Sequence, residues 1–243
     1  MSILQQNNTS WECFILNNSI KNIEQYIIND KRFTIINTDT ALDTIIQKAK
    51  GKYISFINAS DILIVDTVDN ILYTTDLTDS DIIKTPSELL SRAKSYDPDR
   101  KCKFKYIFNK NEITQYIFDD LSEFCFKKEI LLKTATGQSC RALLTNALLN
   151  AKDMTTIENT CILKQRQPEV SVNDIIETYT NNKEKLSQNF WRKYFKQITP
   201  TLIANMAKTN NKVDFLKFCR QIPLSLIPLR YRIMCYILKK TNK

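Results

Sequence analysis

The chain has 243 residues, 43% of them hydrophobic and 25% charged, which is ordinary for a globular protein and long enough for one large domain or a core domain with an appendage. It contains no histidine and only two glycines, Gly51 and Gly137. This excludes Ser-His-Asp and Cys-His nucleophile systems, histidine-bearing metal sites, P-loops and the G-x-G-x-x-G dinucleotide turn. The formal net charge is +9, but the first 100 residues carry no basic excess and much of it lies after Lys183, so the charge belongs to the tail and not to the core.

In chain order, the opening MSILQQNNTSWE has neither a basic stretch followed by an apolar one nor a small-residue cleavage site, so it predicts a cytoplasmic protein. No apolar run approaches the roughly 20 residues of a membrane-spanning helix. The short apolar runs ECFIL (12–16), KRFTIIN (31–37) and YISFI (53–57) read as strands. Between them Ile20, Ile23, Tyr26 and Ile27, then Leu42, Ile45, Ile46 and Ala49, recur at helical spacing. Strand, helix, strand, helix, strand predicts an α/β fold with a mainly parallel sheet flanked by helices, ending in a turn at Asn58–Asp61. SDIIKT (80–85) supplies a further strand, and KCKFKYIFNKNEITQYIF suggests a hairpin. SCRALLTNALLNAK is a helix with Leu143, Leu144, Ala147 and Leu148 on one face, and TTIENTCILKQRQP reads as a closing strand. From Asn173 the pattern turns wholly helical, punctuated by prolines at 200, 223 and 228. The seven cysteines form no C-x-x-C pair and several sit in apolar runs, so they read as reduced, buried thiols.

The stretch Ser2–Asp61 resembles the family 2 glycosyltransferases, enzymes of GT-A fold that move a sugar from a nucleotide donor. SILQQNNTSWECFIL, KRFTIIN and KAKGKYISFINASDIL follow the family's apolar pattern almost throughout, and Phe124–Ser171 follows its acceptor-side segment more weakly. The resemblance covers about two thirds of the chain. It implies a GT-A-like, nucleotide-diphospho-sugar transferase domain over 1–171 and a basic helical region over 172–243.

The polar positions depart from the family. Asn17 and Asn18 stand where an acidic pair holds the nucleotide, and an amide can still hydrogen-bond there. Ala41-Leu42-Asp43-Thr44-Ile45 replaces A-R-N-x-G, which loses a basic side chain near the donor and a flexible glycine and puts Asp43 at a nucleotide-sugar-binding position. Asn58-Ala59-Ser60-Asp61 replaces the Asp-x-Asp motif that holds a divalent ion on the leaving diphosphate, so Asp61 is the one surviving metal candidate. Gln138 and Ser139 occupy the general-base position, where neither side chain takes up a proton near neutral pH. These changes predict a catalytically inactive or impaired protein associated with surface-glycan synthesis, needing no cofactor. The alternative is an active transferase using Asp61 with Mg or Mn, or one in which Lys or Arg of the tail replaces the ion's charge.

The resemblance also implies that the family's first strand, central in its sheet between the strands at 12–16 and 53–57, is missing. Those two strands must then pair directly, accept a strand from a partner chain, or leave open edges. In the tail, Phe190, Trp191, Tyr194 and Phe195 read as core packing, whereas 229–243 reads as a contact for an anionic membrane surface or a partner. An active glycosyltransferase is one such partner. Nucleic acid is not expected, because only net charge speaks for it.

Overall fold

The computed structural model describes residues 2–17, 27, 29–37, 40–92, 102–134, 139–165, 171–209 and 212–241. The chain divides into two compact units, one of 1–138 with 143–167 and one of 139–142 with 168–243.

The first unit is an α/β domain whose sheet is flanked by helices. It begins with a 3-10 turn at Ser2–Gln5, then β1 (Cys13–Asn17) and β2 (Phe33–Asn37). These pair in parallel from Cys13↔Phe33 to Asn17↔Asn37. Both are runs of β-branched and aromatic residues, the composition that favours a pleated surface. The Arg32 guanidinium lies 3.9 Å over the Trp11 ring, and Trp11 meets Phe33 edge-on at 5.4 Å, which fixes the entry into the pair. After α1 (Leu42–Lys48), which buries Ile45 and Ile46, comes β3 (Tyr53–Ser55). Then follow β4 (Ile62–Leu63), α2 (Thr67–Thr78), β5 (Ile82–Lys84), β6 (Ser87–Leu89) and β7 (Phe104–Ile107). The remaining elements of this unit are α3 (Lys110–Thr114), β8 (Phe124–Lys127), α4 (Lys128–Thr134), α5 (Cys140–Asn150), β9 (Met154–Ile157) and β10 (Ile162–Lys164).

Five strands run in the order β3-β8-β5-β9-β7 and three in the order β4-β10-β6. The described ladders are mixed: β1–β2, β5–β9 and β6–β10 are parallel, and β3–β8, β5–β8, β7–β9 and β4–β10 antiparallel. Leu63, Ile83, Cys125, Ile157, Cys161 and Ile162 form a buried cluster that joins the two sheets. Among the described residues β1 has a ladder only with β2, and β3 only with β8. Of the three arrangements open to those strands, direct pairing is therefore absent among the described residues; the Glu12 carboxylate links their starts, accepting from the backbone N–H groups of Lys50 and Gly51.

Two expectations of local structure are corrected. The segment 102–118 is no hairpin: β7 pairs instead with β9, and the chain then turns into α3 and a 3-10 turn at Gln115–Phe118. Ile113 and Ile117, four apart, are fully buried, and that helical spacing outweighs the alternation read from the lysines. Lys110 Nζ donates to the carbonyls of Leu148 (2.9 Å) and Ala151 (2.7 Å), a cation on the C-terminal end of α5. The closing strand is two strands, β9 and β10, because the chain leaves the five-stranded sheet at Ile157 and enters the other at Ile162. The helix expected near 20–27 lies outside the described residues except for Ile27, which is helical and buried.

The second unit is helical: α6 (Val172–Asn182), α7 (Gln188–Thr209), α8 (Lys212–Gln221), a 3-10 turn at Leu224–Leu226 and α9 (Leu229–Thr241). Trp191, Tyr194 and Phe195 are buried as expected, with Tyr179 at 5.0 Å and Phe195 at 6.0 Å from Trp191, and Phe218 at 5.8 Å from Phe195. Pro200 does not punctuate this unit; it sits inside α7. The buried aromatic face on the preceding turns holds the helix through the missing N–H, a cost that an exposed helix would not offset. Cys125, Cys161, Cys219 and Cys235 are buried, but Cys140 is exposed.

Candidate functional site

The turn after β3 is where the metal-binding motif is expected. Its position is set from both sides. Tyr53, Ile54 and Ser55 pair with Lys127, Phe126 and Cys125, Ser55 Oγ donates to the Phe124 carbonyl at 3.1 Å, and Phe56 meets Phe126 edge-on at 6.3 Å. Beyond the turn, β4 pairs with β10 and the Leu63 N–H donates to Ser2 Oγ at 3.0 Å. Within it the Asp61 N–H donates to the Asn58 carbonyl at 2.9 Å, and the Asn58 amide donates to Asp61 Oδ2 at 3.0 Å. Asn58 is exposed; Ser60 and Asp61 are half-buried. The turn thus carries one carboxylate, and one of its oxygens is already engaged by an amide.

Mg²⁺ and Mn²⁺ take several hard, mostly anionic oxygens, and Asp61 with two neutral neighbours does not supply them. Among the described residues no group of three Asp, Glu, Cys or His side chains is placed to hold a metal ion. The residues present do not fit the divalent ion that the resemblance implies.

The other expected positions fall in different places. Asn17 ends β1 opposite Asn37. Asp43 lies in the first turn of α1, where a helix N-terminus favours an acidic side chain. One of its oxygens is buried without a hydrogen-bond partner among the described residues. Asn18 and Gln138 lie outside the described residues. Ser139 opens α5, its Oγ accepting from the Ala142 N–H at 3.3 Å as a helix cap.

Two groups of residues were not foreseen. Asp174, in the first turn of α6, lies near Ser139 and Arg141. Burial holds its carboxyl above the ordinary carboxylate range, against the opposing pull of Arg141. Its S-V-N-D context announces a helix cap in the sequence, but nothing there places it beside Ser139. The second group is a buried charge cluster at the ends of β5 and β10. Lys84 Nζ pairs with Asp119 and with Glu123 (3.0 Å), and Lys164 Nζ with Glu123 (2.8 Å) and Asp120 (3.5 Å). Ser87 Oγ adds a bond to Glu123 at 2.7 Å. Burial alone would raise the Glu123 carboxyl, but Lys84 and Lys164 outweigh it and hold the group below its usual value. Lys84 also lies 4.8 Å over the Phe124 ring.

The backbone of the chain has counterparts among solved structures. Residues 1–349 of TarS from S. aureus superpose with a TM-score of 0.69 at 12% identity, over 99% of this chain and 82% of that one. The chain has the fold of TarS 1–349. The complex of the same TarS fragment with UDP-GlcNAc superposes at 0.68 with 13% identity, and that with UDP at 0.68 with 12%, each over 99% of this chain and 82% of TarS 1–349. No known family's sequence profile matches the chain, and no curated protein sequence matches it. The likeness to TarS therefore resides in the backbone.

Proposed function

We propose that this chain is a component of surface-glycan synthesis, in the cytoplasm or at the inner membrane face, that keeps the glycosyltransferase fold without metal-dependent sugar transfer. The observation that carries this reading is the Asn58–Asp61 pair, a turn with a single, amide-engaged carboxylate where a leaving diphosphate needs a cation. Gln138 and Ser139 add to it, since neither removes a proton from an acceptor hydroxyl. The role left to such a chain is that of a partner, either to an active glycosyltransferase or to a chain that adds a strand beside β1 and β3. The test restores the charges. Asn58→Asp with Ser60→Asp is assayed with UDP-GlcNAc, the donor held by TarS, for hydrolysis and transfer in the presence of Mn²⁺. No turnover is expected, because Gln138 and Ser139 still stand at the base position; turnover in the double variant overturns the proposal.

A second reading rests on Asp174. Its carboxyl lies near Ser139, at the expected base position, so a transferase that drew its base from α6 would use Asp174. Hydrolysis of UDP-GlcNAc by the unaltered chain, lost in Asp174→Asn and retained in Asp174→Glu, establishes this reading in place of the first.

A further inference from the structure

The apolar positions of α9 do not all face inward. Leu229, Ile233 and Tyr236 are 73%, 69% and 51% exposed, while Cys235 on the other side is fully buried. Spacings of four and three residues put the exposed three on one stripe, within an arc of about 60°. Scattered exposed apolar residues need no explanation, but an aligned row of large ones marks a contact. The helix is held in place at its start: Arg232 Nε donates to the Ile227 carbonyl at 2.7 Å, and Arg232 also donates to the Ser225 carbonyl at 3.0 Å. The stripe is therefore presented by an anchored element.

Charge selects the occupant. Residues 172–243 contain fourteen Lys and Arg against four Asp and Glu, a net of +10, which leaves the first 171 residues at −1. The segment 229–243 holds Arg230, Arg232, Lys239, Lys240 and Lys243 with no acidic residue. Arg230 is exposed next to the stripe. A second copy brought face to face would set these charges against themselves. An anionic lipid surface takes both features at once, the apolar side chains entering the acyl boundary and the cations meeting the headgroups. Among the described residues no helix is long and apolar enough to cross a membrane, so the geometry is that of a helix lying on the surface.

We propose that α9 docks the chain on anionic membrane through its Leu229–Ile233–Tyr236 face. The test is co-sedimentation of the full chain with vesicles of phosphatidylcholine containing roughly a third phosphatidylglycerol, beside vesicles of phosphatidylcholine alone. Binding to the anionic vesicles only, weakened by salt, is expected. Ile233→Glu, at an exposed position that leaves packing intact, should weaken it at least about ten-fold, and Arg230→Ala about five-fold. Circular dichroism verifies that both variants fold. Equal binding to neutral vesicles, no binding, or no effect of Ile233→Glu overturns the proposal. So does a dimer that forms without lipid and is lost in Ile233→Glu, since that result assigns the stripe to a second copy.

Discussion

Replacing Glu123 with glutamine tests whether the buried charge cluster holds the first unit together. Glu123 is the carboxylate that Lys84 and Lys164 share, at 3.0 and 2.8 Å, with Ser87 at 2.7 Å. The lysine side chains are 10% and 5% exposed and that of Glu123 16%, so solvent screens little. Each lysine retains one carboxylate in the variant, Asp119 or Asp120, so no cation is left wholly unpaired. What is lost is the charge on two hydrogen bonds worth about 1.5–3 kcal/mol each, of which a glutamine carbonyl keeps roughly half. The expected loss is about 2–3 kcal/mol, a fall in Tm of about 5–10 °C in a protein of this size. The dependence on pH has a definite sign. The folded-state value of Glu123 is lowered, so its stabilisation is present above the unfolded carboxylate range and is lost as pH falls through the folded value. Asp119 is raised by burial and in part by Glu123 itself, so its opposite contribution is smaller in the variant and trims the gap at neutral pH. Urea unfolding of the two proteins should therefore show a full gap at neutral pH that closes in acid. A difference below about 0.5 kcal/mol at neutral pH, or one that persists unchanged in acid, refutes the reasoning.

Trp191→Ala should cost about 3–5 kcal/mol, because the ring is buried among Tyr179, Tyr194 and Phe195, and near-ultraviolet circular dichroism should lose the aromatic signal of the second unit. Thiol labelling of the native protein should modify exposed Cys140 first. Cys13, whose thiol burial pushes up to about 11, should follow slowly, and Cys125, pushed up to about 12 by burial, should react only on unfolding. Rapid native labelling of Cys125 would mean that the two sheets do not close over it.

The strands around the site were legible because they are short runs of Ile, Phe and Tyr bounded by polar turns: Phe14–Leu16, Phe33–Ile36 and Tyr53–Ser55 are strand in the folded chain. The helix at Cys140–Asn150 was legible for the same local reason, since Leu143, Leu144, Ala147 and Leu148 carry the 3.6 period and all four are buried. What depends on distant partners was not. The lysines of 101–110 looked like the polar half of a hairpin, yet Lys110 serves the carbonyl end of α5 and Ile113 and Ile117 fill the core. Pro200 looked like a break, yet the aromatic packing of α7 carries the helix through it. At the site, the loss of charge at Asn58 and Ser60 is written in the residues themselves, whereas the amide's grip on Asp61 needs the turn that brings positions three apart together. Asp174 stayed hidden because a helix and two strands separate it from Ser139 in sequence, although both belong to the same unit.

Calorimetric titration of the full chain with UDP, with and without Mn²⁺, tests the central claim most directly, because nucleotide binding through a cation is the capability the Asn58–Asp61 turn lacks. The account predicts that Mn²⁺ leaves the titration unchanged and that no metal-dependent binding develops. Metal-dependent binding in about the micromolar range would contradict it and would return Asp61 to the role of a cation ligand.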